Sequence, residues 1–187
     1  MRIVGGRHRG RKLAAPPGSD TRPTADRVRE SLFNILVHGG AGLGGEDVVR
    51  DARVLNAFAG TGALGLEALS RGARHVTLID NDGAALGACR ANVAALGEQA
   101  RASVLAGDVL VPVRAAEPCT LVLMDPPYRS GAAAPALVAL EAAGWIAAGA
   151  VCVVEIAANE IFAAPPGFDL ADERRYGAAR IVILRRA

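Results

Sequence analysis

From residue 53 onward, short runs of continuous apolar residues alternate with longer stretches whose apolar positions recur every three or four residues. The first pattern is that of a strand buried on both faces. The second is that of an amphipathic helix. The predicted strands are Val54–Phe58, His75–Asp80, Ala102–Ala106, Thr120–Asp125 and Ala150–Ile156. Between them lie predicted helices over Ala63–Arg71, stopped by Gly72, and from Asp82 to Gly97, with Leu86, Cys89, Val93 and Leu96 on one stripe. A short helix is expected after Asp108, and another over Ala132–Ala143. After Pro165-Pro166 two β-type runs follow, Phe168–Tyr176 and Arg180–Leu184, joined at Gly177-Ala178. A β-α repeat closed by a strand pair predicts a parallel sheet covered by helices on both faces, with an antiparallel hairpin at its end.

Ahead of this unit the pattern differs. Val28, Leu32, Ile35 and Leu36 share one helical face, with Thr24 as N-cap and Gly39-Gly40 as the stop. Residues 39–52 form a Gly-rich, acidic connection. Residues 1–20 are rich in Gly, Arg and Pro, with short strands expected at Ile3-Val4 and at Leu13. The organisation expected is a basic arm and helix over residues 1–38 and a main domain over 39–187.

The 187 residues are 51% hydrophobic and 21% charged, which excludes disorder as the main state. The net charge of +2 conceals an asymmetry. Residues 1–30 carry eight basic groups against three acids, and the rest of the chain 13 against 16. A +5 arm on a −3 body suits a polyanion. Its basic residues Arg7, Arg9, Arg11, Lys12, Arg22, Arg27 and Arg29 are the candidate nucleic-acid contacts. Gly spaced between Arg lets a backbone follow a phosphate path. Cys89, Cys119 and Cys152 are odd in number and set among apolar neighbours, so they read as buried reduced thiols of a cytosolic protein. His8, His38 and His75 have no metal-ligand spacing, and no metal is expected. The longest apolar run, Trp145–Val154, is about half of the roughly 20 residues a membrane span needs.

Two motifs carry chemistry. Gly60-Thr61-Gly62-Ala63-Leu64-Gly65 lies between the first strand and its helix, and Asp80 ends the second strand 20 residues after Gly60. Glycines permit a tight turn and let a ligand approach the backbone, while a carboxylate at Asp80 can accept both hydroxyls of a ribose. A nicotinamide dinucleotide and S-adenosylmethionine (SAM) both fit this turn. The second motif, Asp125-Pro126-Pro127-Tyr128, ends the fourth strand. A carboxylate and the Pro126 carbonyl can accept the two N–H bonds of an exocyclic amine and aim its lone pair. The prolines stiffen the loop, and Tyr128 can stack on a base. A dehydrogenase has no need of this loop, so it favours methyl transfer. No Cys lies beside it, so no covalent enzyme intermediate is required.

With these residues the chain resembles class I SAM-dependent methyltransferases. More narrowly, it resembles the bacterial 16S ribosomal RNA guanine-N2 methyltransferase family (small-subunit methyltransferase D). The matching strings are Arg2-Ile3-Val4-Gly5-Gly6, Arg9-Gly10-Arg11-Lys12-Leu13, Arg22-Pro23-Thr24 with Asp26-Arg27-Val28-Arg29-Glu30, the run from Phe58 to Gly72, Asp125 to Tyr128, and Tyr176-Gly177. The resemblance implies an α/β, Rossmann-like fold, a seven-stranded mostly parallel sheet with its last strand antiparallel, preceded by a short basic extension. It implies SAM as donor and a guanine of 16S rRNA, guanine 966, as acceptor, in an assembled or assembling small ribosomal subunit. It also implies a cytoplasmic monomer without membrane or metal.

By motif, Phe58, Gly60 and Gly62 would line the methionine part of SAM. Asp80 would hold the ribose with Asn81 beside it, and Asp108 would approach the adenine with Val109. Thr24 and the basic residues near it would close over cofactor and RNA. Asp125, Pro126, Pro127 and Tyr128 would hold the target base. Asn56 stands where many relatives have an acid, which leaves it an amide with which to orient a water or the cofactor. The alternatives are a DNA adenine-N6 methyltransferase and a non-catalytic RNA-binding assembly factor.

Overall fold

Seven strands form one sheet in the order β3-β2-β1-β4-β5-β7-β6 in the computed structural model, which describes residues 1–15 and 23–187, with only the backbone at 23–25 and 41. In chain order the elements are α1 (Pro23–His38), β1 (Arg53–Ala57), α2 (Ala63–Ser70), β2 (His75–Asp80), α3 (Gly83–Leu96), β3 (Ala102–Ala106), β4 (Cys119–Met124), α4 (Ala133–Ala142), β5 (Ile146–Ala157), β6 (Phe168–Tyr176) and β7 (Ala179–Arg186). Strands β1 to β5 run parallel, and β7 is antiparallel to both β5 and β6. This is the expected Rossmann-like arrangement with an antiparallel last strand.

Because side chains alternate along a strand, the sheet divides its apolar residues between two cores. Leu121 and Leu123 of β4 join Leu66 and Leu69 of α2, Val93 and Leu96 of α3, and Leu32, Phe33 and Leu36 of α1 on one face. Val122 and Met124 join Leu137 and Leu140 of α4 on the other. Ile3 and Leu13 of the arm belong to the first core, so the arm packs on the main domain rather than standing apart from it. It folds as a small hairpin: Ile3 N–H donates to the Arg11 carbonyl at 2.9 Å, and Arg2 bridges Lys12. The strands expected at Ile3-Val4 and Leu13 do not form; the hairpin holds a single isolated bridge, between Arg2 and Lys12.

Gly65 sets how closely α2 lies on the sheet. A Cβ there would come within 2.6 Å of the Leu78 and Val76 side chains. The Asn56 side chain ties the same turn to the strands: its Oδ1 accepts the Gly65 N–H at 3.0 Å, and its amide donates toward the Leu123 carbonyl at 3.4 Å. The amide in place of an acid thus links β1, α2 and β4.

Two expectations are corrected. No helix follows Asp108. The Asp108 carboxylate accepts the Leu110 N–H at 2.8 Å and the chain makes only a turn, with Leu110, Val111 and Val113 exposed and offering no face to bury. Strand β5 begins at Ile146 rather than Ala150, because its pairing with β4 jumps from Cys119↔Ile146 to Leu121↔Val151 and bulges out the intervening residues around Gly149. The edge strand β6 carries Asp169, Asp172, Glu173, Arg174 and Arg175, charges that discourage pairing with another sheet. Among the described residues no helix is long and apolar enough to cross a membrane.

Candidate active site

Strand order reverses between β1 and β4, and the carboxyl ends of these strands open a cleft of about 740 Å³. A parallel sheet leaves its crevice at this switch point, and the volume suits a nucleoside-sized ligand. On the β1 side Phe58 turns the chain with φ 54°, a left-handed conformation uncommon for an aromatic residue. Gly60 follows at φ 55° and Gly62 at φ 78°. Asp80 holds this turn in place: its Oδ2 accepts the Gly60 N–H at 2.8 Å and its Oδ1 the Asp82 N–H at 2.9 Å. Two backbone donors therefore fix the carboxylate, and each oxygen keeps acceptor capacity for a diol. Asp82 in turn caps α3 through the Ala84 and Ala85 amides, which fixes the loop carrying the exposed Asn81. Phe58, Gly60, Asp80 and Asn81 all line the cleft.

On the opposite side β4 delivers Asp125 to Tyr128, all four lining the same cleft. Pro126 is buried, and Asp125 presents its surface to the opening. Sequence reasoning missed the residue facing them. Glu155 of β5 accepts the Tyr128 hydroxyl on its Oε1 at 2.8 Å. Its signal was a single acid breaking the apolar run Ala150–Ile156. Although its surface opens on the cleft, Asp125 is surrounded closely enough by protein to lose hydration, which raises its pKa above the ordinary carboxylate range, and the Glu155 charge raises it further. Burial also raises Glu155, opposed by the Tyr128 hydrogen bond and the Arg29 charge. Two acids therefore compete to ionise at the acceptor side of the cleft.

The other predicted residues are distributed differently. Asn56 lines the cleft floor; Gly62 is buried beneath it. Asp108 is exposed past the end of β3, and Val109 is buried in the second core; neither forms the cleft wall. Arg22 and the Thr24 side chain lie outside the described residues. Arg29 does not face outward. It is 5% exposed, donates to the Arg2 carbonyl and to Asp26 at 2.8 Å, and reaches the cleft wall from behind. Arg7 and His8 both engage Glu98, and Arg11 donates to the Ala95 carbonyl at 2.8 Å, so these residues clasp the arm to α3. Arg7, Arg9, Arg11, Lys12 and Arg27 are all exposed, and of these Arg9, Lys12 and Arg27 make no side-chain hydrogen bond or ion pair with the body among the described residues. Cys89, Cys119 and Cys152 are buried free thiols, with burial pushing their pKa values up to about 12, about 11 and about 12.

Comparison with known proteins places this geometry. Residues 1–185 match the family model described as Conserved hypothetical protein 95. The chain is 41% identical over 155 residues to Ribosomal RNA small subunit methyltransferase D of Escherichia coli, covering 83% of this chain and 74% of that protein. It is 32% identical over 181 residues to the Haemophilus influenzae protein of the same name, covering 95% and 89%. The solved structure of the Escherichia coli protein yhhF superimposes with a TM-score of 0.84 at 38% identity, over 100% of this chain and 97% of that one. A family match over nearly the whole chain and these relatives show that the chain belongs to the Conserved hypothetical protein 95 family, with the bacterial small-subunit ribosomal RNA methyltransferase D proteins.

Proposed function

We propose that the protein transfers a methyl group from SAM to the exocyclic N2 amine of a guanine in 16S rRNA, acting in the cytoplasm as a monomer on an assembled or assembling small ribosomal subunit. One observation carries the reading: a carboxylate fixed for a ribose, Asp80, and a carboxylate on a stiff aromatic loop, Asp125, face one cleft from its two sides. The relatives' names support ribosomal RNA as the acceptor, and the N2 amine and its nucleotide follow from the motif resemblance.

The donor set fits SAM. Asp80 offers acceptors for the ribose diol, and Phe58, Ala63 and Leu64 offer apolar surface beside the Gly-rich turn. Bound there, SAM supplies an electrophilic methyl group. Asp125 accepts one amine N–H and the Pro126 carbonyl the other, which turns the nitrogen lone pair toward the donor side. With SAM bound, the N–C bond would form as the methyl's bond to the sulfonium sulfur breaks and S-adenosylhomocysteine leaves with that electron pair; the methylated amine would then be acidic, and Asp125, its pKa raised by burial, is placed to take its proton. Tyr128, held by Glu155, stacks on the base. Positioning and charge stabilisation are the main contributions.

The test is transfer of labelled methyl to small-subunit particles lacking the modification, followed by nucleoside mass mapping. N2-methylguanine is the expected product. Asp125→Ala abolishes turnover with little change in SAM affinity. Methylation of DNA instead, or near-normal activity of that variant, refutes the assignment.

A further inference from the structure

Beyond Tyr128 a second cavity of about 540 Å³ opens at the same edge of the sheet. Three segments build it: Tyr128 and Arg129 after β4, Ala157 to Asn159 at the end of β5, and Arg175 with Ala178 at the β6–β7 turn. Tyr128 and Ala178 line both this cavity and the main cleft, so they form the wall between them. Among the described residues its lining includes two arginines and no acid.

The charge pattern around it is unbalanced in one direction. Arg174 pairs with Asp172 at 3.1 Å and Arg180 with Glu173 at 3.6 Å. Arg175 faces Arg180 across the β6–β7 ladder, an unfavourable like-charge pair. Among the described residues no carboxylate lies within ion-pair distance of Arg175 or Arg129, and both are exposed. The nearby Glu160 carboxylate is engaged instead by backbone, accepting the Arg129 N–H at 2.8 Å and the Ala157 N–H at 3.4 Å. That bond holds Arg129 at φ 59°, a conformation few non-glycine residues keep without cause. The fold thus places two guanidinium groups with no carboxylate partner among the described residues around a concave site, Arg129 directly following the loop proposed to hold the target base.

We infer that the cavity bounded by Arg129 and Arg175 is a subsite for the phosphodiester and nucleotide flanking the methylated base, with Tyr128 as the partition that separates the target from its neighbour. A base entering the main cleft leaves its strand running past Tyr128, and planar guanidinium forks match phosphate oxygens. The Asn159 side chain adds an amide able to meet a sugar hydroxyl or a base edge. The inference rests on RNA as substrate, which the basic arm alone leaves without a register.

The test compares wild type with Arg129→Gln/Arg175→Gln in two readouts, equilibrium binding to a 16S rRNA transcript across salt concentrations and methyl transfer to undermodified particles. A single-stranded phosphate contact contributes about 0.7 to the salt slope, which is about fivefold in affinity at 0.1 M salt. Two lost contacts lower RNA affinity about 25-fold and flatten the slope by about 1.4. The same variant raises KM for particles and leaves SAM affinity and kcat near wild type. Arg50→Gln/Arg74→Gln, at residues preceding β1 and β2 on the opposite edge, changes neither. RNA affinity and slope equal to wild type in the double variant overturn the subsite even if wild type methylates normally. A wild type silent in methyl transfer, with RNA affinity still lost in the variant, overturns the proposed reaction and leaves the subsite standing.

Discussion

Replacing Glu67 with Gln should be among the most damaging single-atom changes in the molecule. Glu67 lies in α2 with no exposed surface, its carboxylate enclosed by the arm, α1 and α2. Its Oε2 accepts the Val4 N–H at 2.8 Å and faces the Arg29 Nε at 3.7 Å; its Oε1 accepts the Arg71 Nε at 2.7 Å. Every neighbour of the carboxylate is a donor. A carboxamide satisfies only one side and points its own N–H₂ at a donor on the other. Leaving a buried donor unmade costs about 1–3 kcal/mol, and removing one partner of a buried ion pair costs about 3–5 kcal/mol. Arg29 keeps Asp26, and Arg71 keeps its place over the Phe33 ring at 5.3 Å. The loss should therefore fall near the low end, about 3 kcal/mol. At about 2–4 °C per kcal/mol for a chain of this size, Tm drops by about 6–12 °C. Urea denaturation with a two-state fit measures the free energy, and a double-mutant cycle with Arg71→Met isolates the pair. Because Val4 anchors the arm whose Met1 lines the cleft, calorimetry should also show weaker SAM binding. A loss below about 1 kcal/mol together with unchanged SAM affinity would refute the view that Glu67 ties the arm to the cofactor cleft.

Other consequences can be measured on the same purified protein. Gly65→Ala forces a methyl into the 2.6 Å gap to Leu78 and Val76 and should cost about 1–3 kcal/mol in urea denaturation, with no loss pointing to a looser helix–sheet contact. The raised pKa of Asp125 places the acid limb of kcat/KM above the ordinary carboxylate range; Glu155→Gln keeps an acceptor for Tyr128 but removes the like charge, so the limb should move to lower pH, and a limb that stays or rises refutes the coupling. Folded protein also holds the Asp125 proton more tightly than the unfolded chain, so its contribution to stability falls as pH rises from the ordinary carboxylate value through the raised one. Asp125→Asn should accordingly melt higher than wild type above that window, and an equal or lower Tm across the pH series counts against it.

Strand positions were legible because strands buried on both faces must be continuously apolar, and the two loops because glycine and proline at strand ends have few other uses. Pairwise electrostatics was not legible. Arg29 reads in the sequence as a nucleic-acid contact and Glu67 as one position of the Phe58–Gly72 run with no role of its own, and only the packing of α1 and the arm onto α2 turns them into a buried network. Glu155 was hidden by its setting in an apolar run, since nothing local shows that β5 runs beside the Asp125–Tyr128 loop. The turn after Asp108 carried helix-compatible apolar residues, but Leu110, Val111 and Val113 stay exposed with only Val109 buried, and Asp108 captures the Leu110 amide locally.

The reversal of strand order between β1 and β4 divides labour as well as space. The half built from β1, β2 and β3 carries Phe58, Gly60 and Asp80, proposed for the donor; the half built from β4, β5, β7 and β6 carries the Asp125–Tyr128 loop, Glu155 and both arginines of the second cavity, proposed for the target base and its neighbour. The amide of Asn56, touching both α2 and the β4 backbone, is one of the stitches across that seam. Variation in the later half can therefore retarget the enzyme while the earlier half goes on binding the same donor. A chimera joined in the loop before β4 is the natural way to move substrate choice between relatives.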